Sequence, residues 1–367
     1  MRSVFTFWPG RPAFGRRIGN TSQMPDRLRR TPRRTSILPA TPRRILSLIP
    51  VALLAFAAFG EQPAFAQGRN GAGRPPEGVR AIRDVAYVEG GHERQRLDLY
   101  LPAADDGSDS NAASPPRPLL VWIHGGGWRQ GSKDRCPLVL NRLIADEIFS
   151  RGYAVASIGY RLTDAARFPA QVDDCRDAVR FLQDRAGEYG LDPDRVGLWG
   201  PSAGGHLVAM TGLADGDDDL GIAAVCDFYG PTDLVRFAED SPRVAADGSP
   251  EHRLLGGPVK ERVALARRAS PVTHVDADDP PFLIVHGTND PLVPLTQSER
   301  LHEALRAAGV DSHLVVVDGG GHGGPGFLDP PMRDRILAFF DSHLDVGEPA
   351  LLDLPERLTV PAPRRSR

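Results

Sequence analysis

The sequence predicts an α/β protein: a mostly parallel central sheet of about eight strands with helices on both faces. Three observations carry that prediction. From residue 119 to residue 343, apolar runs of strand length alternate with amphipathic stretches of helical length, the pattern of parallel strands joined by crossover helices. Two stretches ahead of them alternate polar and apolar residues, as strands at a sheet edge with one wet face do. Glycine-flanked polar residues then recur just after strands, where open α/β sheets bind their ligands.

The first part of the chain is not domain material. Residues 1–44 hold eleven Arg, no Lys and Asp26 as the one acid; Ile45 to Phe59 is an apolar run, and Ala64-Phe65-Ala66 precedes Gln67. A basic segment, an apolar segment and an A-x-A site are the parts of a signal peptide, here residues 1–66, with Met24 an alternative start because the basic segment is long. The mature protein is then secreted or periplasmic. An uncleaved membrane anchor is the competing reading, although Pro50 and Gly60 keep the run short of the roughly 20 apolar residues a span needs.

Residues 67–80, rich in Gly, Pro and Arg, read as a flexible linker, residues 81–345 as the catalytic domain and residues 346–367 as a disordered tail. Arg83 to Glu89 and Gln95 to Leu101 are the alternating edge strands, and Ala103 to Pro116 is a surface loop. Buried parallel strands are expected near 119–123, 153–158, 195–199, 222–228, 282–286 and 314–317. Helices are expected near 137–149, 172–186, 203–213, 296–308 and 330–343. The stretch 233–280 has no clear strand and is charged, which suits a small partial cover rather than an apolar lid.

Composition narrows the function. Beyond residue 66 the chain keeps 33 of its 44 basic and 45 of its 47 acidic side chains, a net charge of −12. So acidic a chain is a poor nucleic-acid binder. Cys136, Cys175 and Cys226 lie in no metal-ligand spacing, and no cofactor or metal is implied. In an exported chain Cys175 and Cys226 are the candidate disulfide pair, with three buried free thiols as the alternative.

The chemistry converges on four strand ends. Arg195 to Trp199 is a strand, Leu207 to Met210 opens a helical pattern, and between them Gly200-Pro-Ser-Ala-Gly204 has the G-x-S-x-G spacing that gives an apical serine, Ser202, room to project its hydroxyl. Such a turn also suits phosphate binding or close packing, so it needs partners to be read as a nucleophile. Upstream, Pro118 to His124 runs into Gly125-Gly-Gly-Trp128, placing the backbone N–H groups of Gly126 and Gly127, with that of Ala203 at the helix start, as candidate oxyanion donors. Downstream, Phe282 to Val285 leads to Asp290 and His313 to Val317 leads to His322, so that Ser202, Asp290 and His322 follow in the chain order of a serine hydrolase triad. Asp290 also suits a cap, and Asp318 is a second acid at a strand end, but it lies too near His322 in sequence to approach the ring from its far side. Trp128 is a candidate pocket residue or a packing residue, and His124, His206 and His286 are expected to brace loops.

With these residues in place, the chain resembles the esterase and lipase side of the α/β-hydrolase superfamily from about residue 83 to 343. The likeness is greatest to the feruloyl and acetyl-xylan esterase-like group. It rests on Leu97-Asp-Leu-Tyr-Leu-Pro102, His124-Gly-Gly-Gly-Trp128, Tyr160-Arg-Leu162, Phe168-Pro-Ala-Gln171 with Asp174-Cys175, Gly200 to His206, Phe228-Tyr-Gly-Pro-Thr-Asp233 and His286-Gly-Thr-Asn-Asp290. The resemblance implies the α/β-hydrolase fold, the same triad and oxyanion donors, and a small ester or polysaccharide-linked ester as substrate. Pro201 stands where hormone-sensitive-lipase-like enzymes carry an acid, which argues against long-chain lipids. A serine exopeptidase of prolyl-oligopeptidase-like type and a non-catalytic binding protein on the same scaffold are the alternatives.

Overall fold

A computed structural model describes residues 75–102, 115–136, 145–213, 219–324, 326–327, 329–347 and 357–359. The expected signal peptide, most of the linker and the loop after residue 102 lie outside the described residues. Among the described residues nine strands form one sheet: β1 (Val79–Ala86), β2 (Arg96–Pro102), β3 (Arg117–Ile123), β4 (Ala154–Ile158), β5 (Leu191–Pro201), β6 (Ala224–Phe228), β7 (Phe282–Gly287), β8 (Ser312–Asp318) and β9 (Arg357–Thr359). Their order across the sheet is β1-β2-β4-β3-β5-β6-β7-β8-β9. β2 pairs antiparallel with β1 and β4, and every pair from β4 to β9 is parallel. This is the α/β-hydrolase fold that the sequence predicts.

The helices are α1 (Ala145–Ser150), α2 (Ala170–Asp184), α3 (Ala186–Tyr189), α4 (Ala203–Gly212), α5 (Leu234–Asp240), α6 (Pro242–Ala245), α7 (Pro250–Leu255), α8 (Val263–Arg268), α9 (Thr296–Ala308) and α10 (Pro330–His343). The first part of the helix expected over 137–149 lies outside the described residues. The stretch 233–280 forms α5 to α8, four short helices without a strand.

Strand alternation divides the core into two layers. On β3, Leu119, Val121 and Ile123 enter one apolar cluster with α2 and α4, while Leu120 and Trp122 enter the other with α10. Both sets are buried, which is why the strands read as unbroken apolar runs. Full burial of one such side chain is worth about 1.5–3 kcal/mol.

The two layers also overturn the disulfide pairing. Cys175 lies in the first cluster and Cys226 in the second, on opposite faces of the sheet, and all three cysteines are free and buried. Burial pushes the Cys175 and Cys226 thiols well above their usual pKa.

Two boundaries also differ from expectation. β1 begins inside the expected linker, with Val79 and Arg80 opposite Pro102 and Leu101. The tail expected to be disordered contributes β9, whose Arg357, Leu358 and Thr359 pair with Val316, Val317 and Asp318. Leu358 packs on the second apolar cluster and Arg357 reaches Asp318 at 3.0 Å. Backbone pairing and one apolar contact thus outweigh a Pro- and Arg-rich composition.

Candidate active site

β5 stops at Pro201, α4 starts at Ala203, and Ser202 between them takes φ +58° and ψ −121°. A non-glycine residue held there costs on the order of 1–3 kcal/mol and persists only where its surroundings fix it. Here the Ser202 N–H donates to the Phe228 carbonyl at 2.8 Å, and the Ser202 carbonyl accepts from the His206 N–H at 3.0 Å. A Cβ at Gly200 or Gly204 would lie 2.5 Å or 2.1 Å from the Ile123 carbonyl oxygen. The two glycines are what let the turn close against the end of β3.

The loops after β7 and β8 bring Asp290 and His322 to this turn. His322 Nε2 lies 2.9 Å from Ser202 Oγ, and His322 Nδ1 lies 2.6 Å from Asp290 Oδ2. An ionised carboxylate only accepts, so Nδ1 carries the proton and Nε2 is free to accept from the serine hydroxyl. The Asp290 side chain is fully buried. Burial would raise its pKa, but hydrogen bonds from His286 and His322, the His322 charge and the Val293 N–H together hold it well below the usual carboxylate range. The capping reading is satisfied too: Asp290 Oδ1 accepts from the N–H groups of Leu292 and Val293 at 2.8 and 2.9 Å, fixing its own turn. Asp318 instead pairs with Arg357.

The glycine loop lies against the serine. A Cβ at Gly125 would stand 2.6 Å from the Pro201 oxygen and 3.4 Å from Ser202 Cβ, while Gly126 and Gly127 take φ of +122° and +59°. Ala203 is the first residue of α4, so its N–H has no acceptor within the helix. The three candidate donors therefore belong to two segments that flank one hydroxyl.

Trp128 is not an open pocket wall. It is 1% exposed, and its Nε1–H donates to His206 Nδ1 at 3.2 Å, while His206 Nε2 lies 2.8 Å from the Ala269 carbonyl. His124 stacks on Tyr160 at 4.2 Å and bonds the Gly125 carbonyl through Nδ1 at 2.8 Å. Half-buried Arg161 and buried Asp174 form a brace: three contacts of 2.7 to 3.0 Å join the guanidinium to the carboxylate, whose Oδ2 also accepts the Arg161 N–H.

Two contributors escaped the sequence reading in part or in whole. His286 was expected only to brace a loop, yet its Nε2 lies 3.4 Å from Asp290 Oδ2 and 2.9 Å from the Val293 carbonyl, with Ser298 Oγ 2.6 Å from Nδ1. Tyr229, at φ +45°, sets its ring 4.6 Å from that of His322 and 5.1 Å from that of Phe327. Its place in Phe228-Tyr-Gly-Pro was the one available signal, since positive φ in a tyrosine leaves no mark on sequence.

The chain is similar to several known esterases. Esterase LipQ of Mycobacterium tuberculosis is 29% identical over 236 residues, a match covering 62% of this chain and 53% of LipQ. The chain thus spans about half the length of that curated relative. A truncated form of a carbohydrate esterase from gut microbiota superposes with a TM-score of 0.63 at 29% identity, covering 74% of this chain and 99% of that one. Esterase B from Lactobacillus rhamnosis gives 0.59 at 25% identity, covering 74% and 89%. Residues 97–305, more than half of the sequence and the span from β2 into α9, match the BD-FAE family, and the chain belongs to that family.

Proposed function

We propose that the protein is a secreted serine hydrolase that cleaves carboxylic esters of short acyl or aryl groups, including such groups carried on polysaccharide. The observation that carries the reading is the single His322 ring set between Ser202 Oγ at 2.9 Å and Asp290 Oδ2 at 2.6 Å. The esterase names of the relatives and the leader at residues 1–66 support the substrate class and the export.

In the proposed reaction, Ser202 Oγ attacks the ester carbonyl carbon as its proton passes to His322 Nε2. Buried Asp290 holds the imidazole by its Nδ1–H and stabilises the imidazolium. The carbonyl oxygen, now negative, is received by the N–H groups of Gly126, Gly127 and Ala203, each worth about 10²–10³ in rate. Collapse of the tetrahedral adduct breaks the bond to the alcohol, which leaves with the proton from Nε2. Water, deprotonated by the same nitrogen, then attacks the acyl-serine and releases the acid. The test is hydrolysis of 4-nitrophenyl acetate by the wild type and by Ser202→Ala. Turnover that vanishes in the variant, with fluorophosphonate labelling of Ser202, is the expected result; a wild type inert to a range of short acyl esters overturns the reading.

A further inference from the structure

Acids outnumber bases in the chain beyond residue 66, yet exposed arginines gather around α7, beside the candidate oxyanion loop. α7 begins against that loop: a Cβ at Gly127 would lie 3.2 Å from Pro250 Cβ and 4.0 Å from Arg129 Cγ. At its other end, the Arg167 guanidinium lies 2.5 Å from where a Cβ at Gly256 would stand, and Arg262 Nε lies 3.1 Å from the same point at Gly257. Backbone bonds tie these pieces together, from the Thr163 N–H to the Trp128 carbonyl at 2.9 Å and from the Phe168 N–H to the Leu254 carbonyl at 3.0 Å. The cover also reaches the acid's loop, where Arg243 donates to the Leu292 carbonyl at 2.6 Å. It therefore runs from the candidate oxyanion loop to the turn that holds Asp290.

Arg129, Arg167, Arg253, Lys260 and Arg262 are all exposed, and none forms an ion pair among the described residues. The acids offset them only in part: Glu251 is 3% exposed, and Asp164, Asp247 and Glu261 are the exposed carboxylates within these segments, three against five cations. α7 has six residues, so its two ends are only about 9 Å apart at 1.5 Å per residue. That is within a Debye length at 0.1 M salt, about 10 Å. A cationic rim of this size on a chain whose residues beyond 66 sum to a net charge of −12 is a local reversal of sign, of the kind that raises the concentration of an oppositely charged substrate at a cleft.

We infer that the rim around α7 selects esters carried on carboxylate-bearing saccharides, acetylated uronic-acid chains, over the same esters on neutral polysaccharides. The guanidinium groups of Arg129, Arg167 and Arg262 offer forked donors that match carboxylates of successive uronate units. This rests on the ester-hydrolase reading above. An anionic lipid surface is the other partner with the same charge, but the described helices of the cover expose one large apolar side chain, Val263, and no apolar face to insert.

The experiment compares deacetylation of acetylated polygalacturonate and acetylated glucomannan of matched acetyl content, in 20 mM and 500 mM NaCl, for the wild type and for Arg129→Ala/Arg167→Ala/Arg262→Ala. The expected result is a wild-type kcat/KM about tenfold higher on the acidic polymer at low salt. That preference should collapse at high salt and be largely lost in the triple variant. Equal rates on both polymers, or a preference indifferent to salt and to the substitutions, overturns the inference while leaving ester hydrolysis in place. Should the wild type cleave no ester, binding of Ser202→Ala to de-esterified polygalacturonate decides: affinity that falls with salt and with the triple substitution supports the rim, and none overturns it. Binding to vesicles containing phosphatidylserine without binding to polygalacturonate also overturns it.

Discussion

Trp128 Nε1 donates to His206 Nδ1 across 3.2 Å, with the two rings 5.1 Å apart and nearly perpendicular. One residue ends the glycine loop and the other sits in the first turn of α4, so this buried bond ties together the two segments that supply the candidate oxyanion donors. Trp128→Phe replaces a buried indole by a smaller ring and leaves a buried imidazole nitrogen without its donor. The expected cost is about 1–3 kcal/mol in urea unfolding, with a lower kcat because the Gly126 and Gly127 N–H groups lose their fixed distance from Ala203. A stability equal to wild type would show that neither the bond nor the indole packing contributes.

The choice between acids is open to direct test. Asp290→Asn removes the charge and favours the wrong tautomer of His322, so kcat should fall about 10²–10⁴-fold. Asp318→Asn weakens one exposed contact with Arg357 and should leave kcat within about twofold, since exposed pairs contribute little. Steady-state kinetics on 4-nitrophenyl acetate separates them; equal losses would remove Asp290 from its role.

His286 acts on Asp290 through the shared turn. The Val293 carbonyl can only accept, so Nε2 carries the proton, and Nδ1 accepts from Ser298. His286→Leu should lower kcat about tenfold with KM little changed. His286→Gln, whose amide N–H sits near the position of Nε2, should recover most of it. A loss that the glutamine fails to recover, or one confined to KM, would assign His286 to packing alone.

Three buried groups give the stability a shaped dependence on pH. Burial lowers the His124 and His206 pKa values to about 3 and about 4, against partial compensation from the Gly125 and Ala269 carbonyls. An imidazole with a folded pKa below its unfolded value binds protons on unfolding, so its contribution is whole above about pH 6.5 and drains away as pH falls toward 4 and then 3. Asp227 has the opposite sign. Burial raises its pKa to about 7, beyond what the Gly230 N–H and His286 offset, so the folded state holds a proton that the unfolded chain has released. Its cost grows as pH climbs from about 3.8 to 7. Asp227→Asn should therefore stabilise the fold at pH 8 by on the order of 2 kcal/mol and change little at pH 4. Urea midpoints at the two pH values check this; an equal shift at both would contradict it.

The elements around the site were legible where pattern and turn chemistry agreed. Ser202 was readable because glycines at 200 and 204 have a steric reason to be there, and α9 and α10 fall where their periodicity places them. What escaped depends on the third dimension. The Cys175 and Cys226 pairing failed because sequence does not reveal which face of a sheet a buried residue meets. Sequence leaves Trp128 between a pocket wall and a packing residue, because an indole beside a glycine loop carries no sign of its partner, 78 residues away, and burial decides for packing. β9 escaped because three residues are too few to show a period.

That short strand has a consequence of its own. The outer rim of β8, from Val316 to Asp318, would otherwise offer bare amide and carbonyl groups to any passing extended chain, the usual route to unwanted sheet-to-sheet stacking. A three-residue cover headed by a charged arginine occupies that rim and is itself too brief for another molecule to extend. Such a seal gives the sheet a resistance to self-association that no feature of the candidate catalytic centre provides.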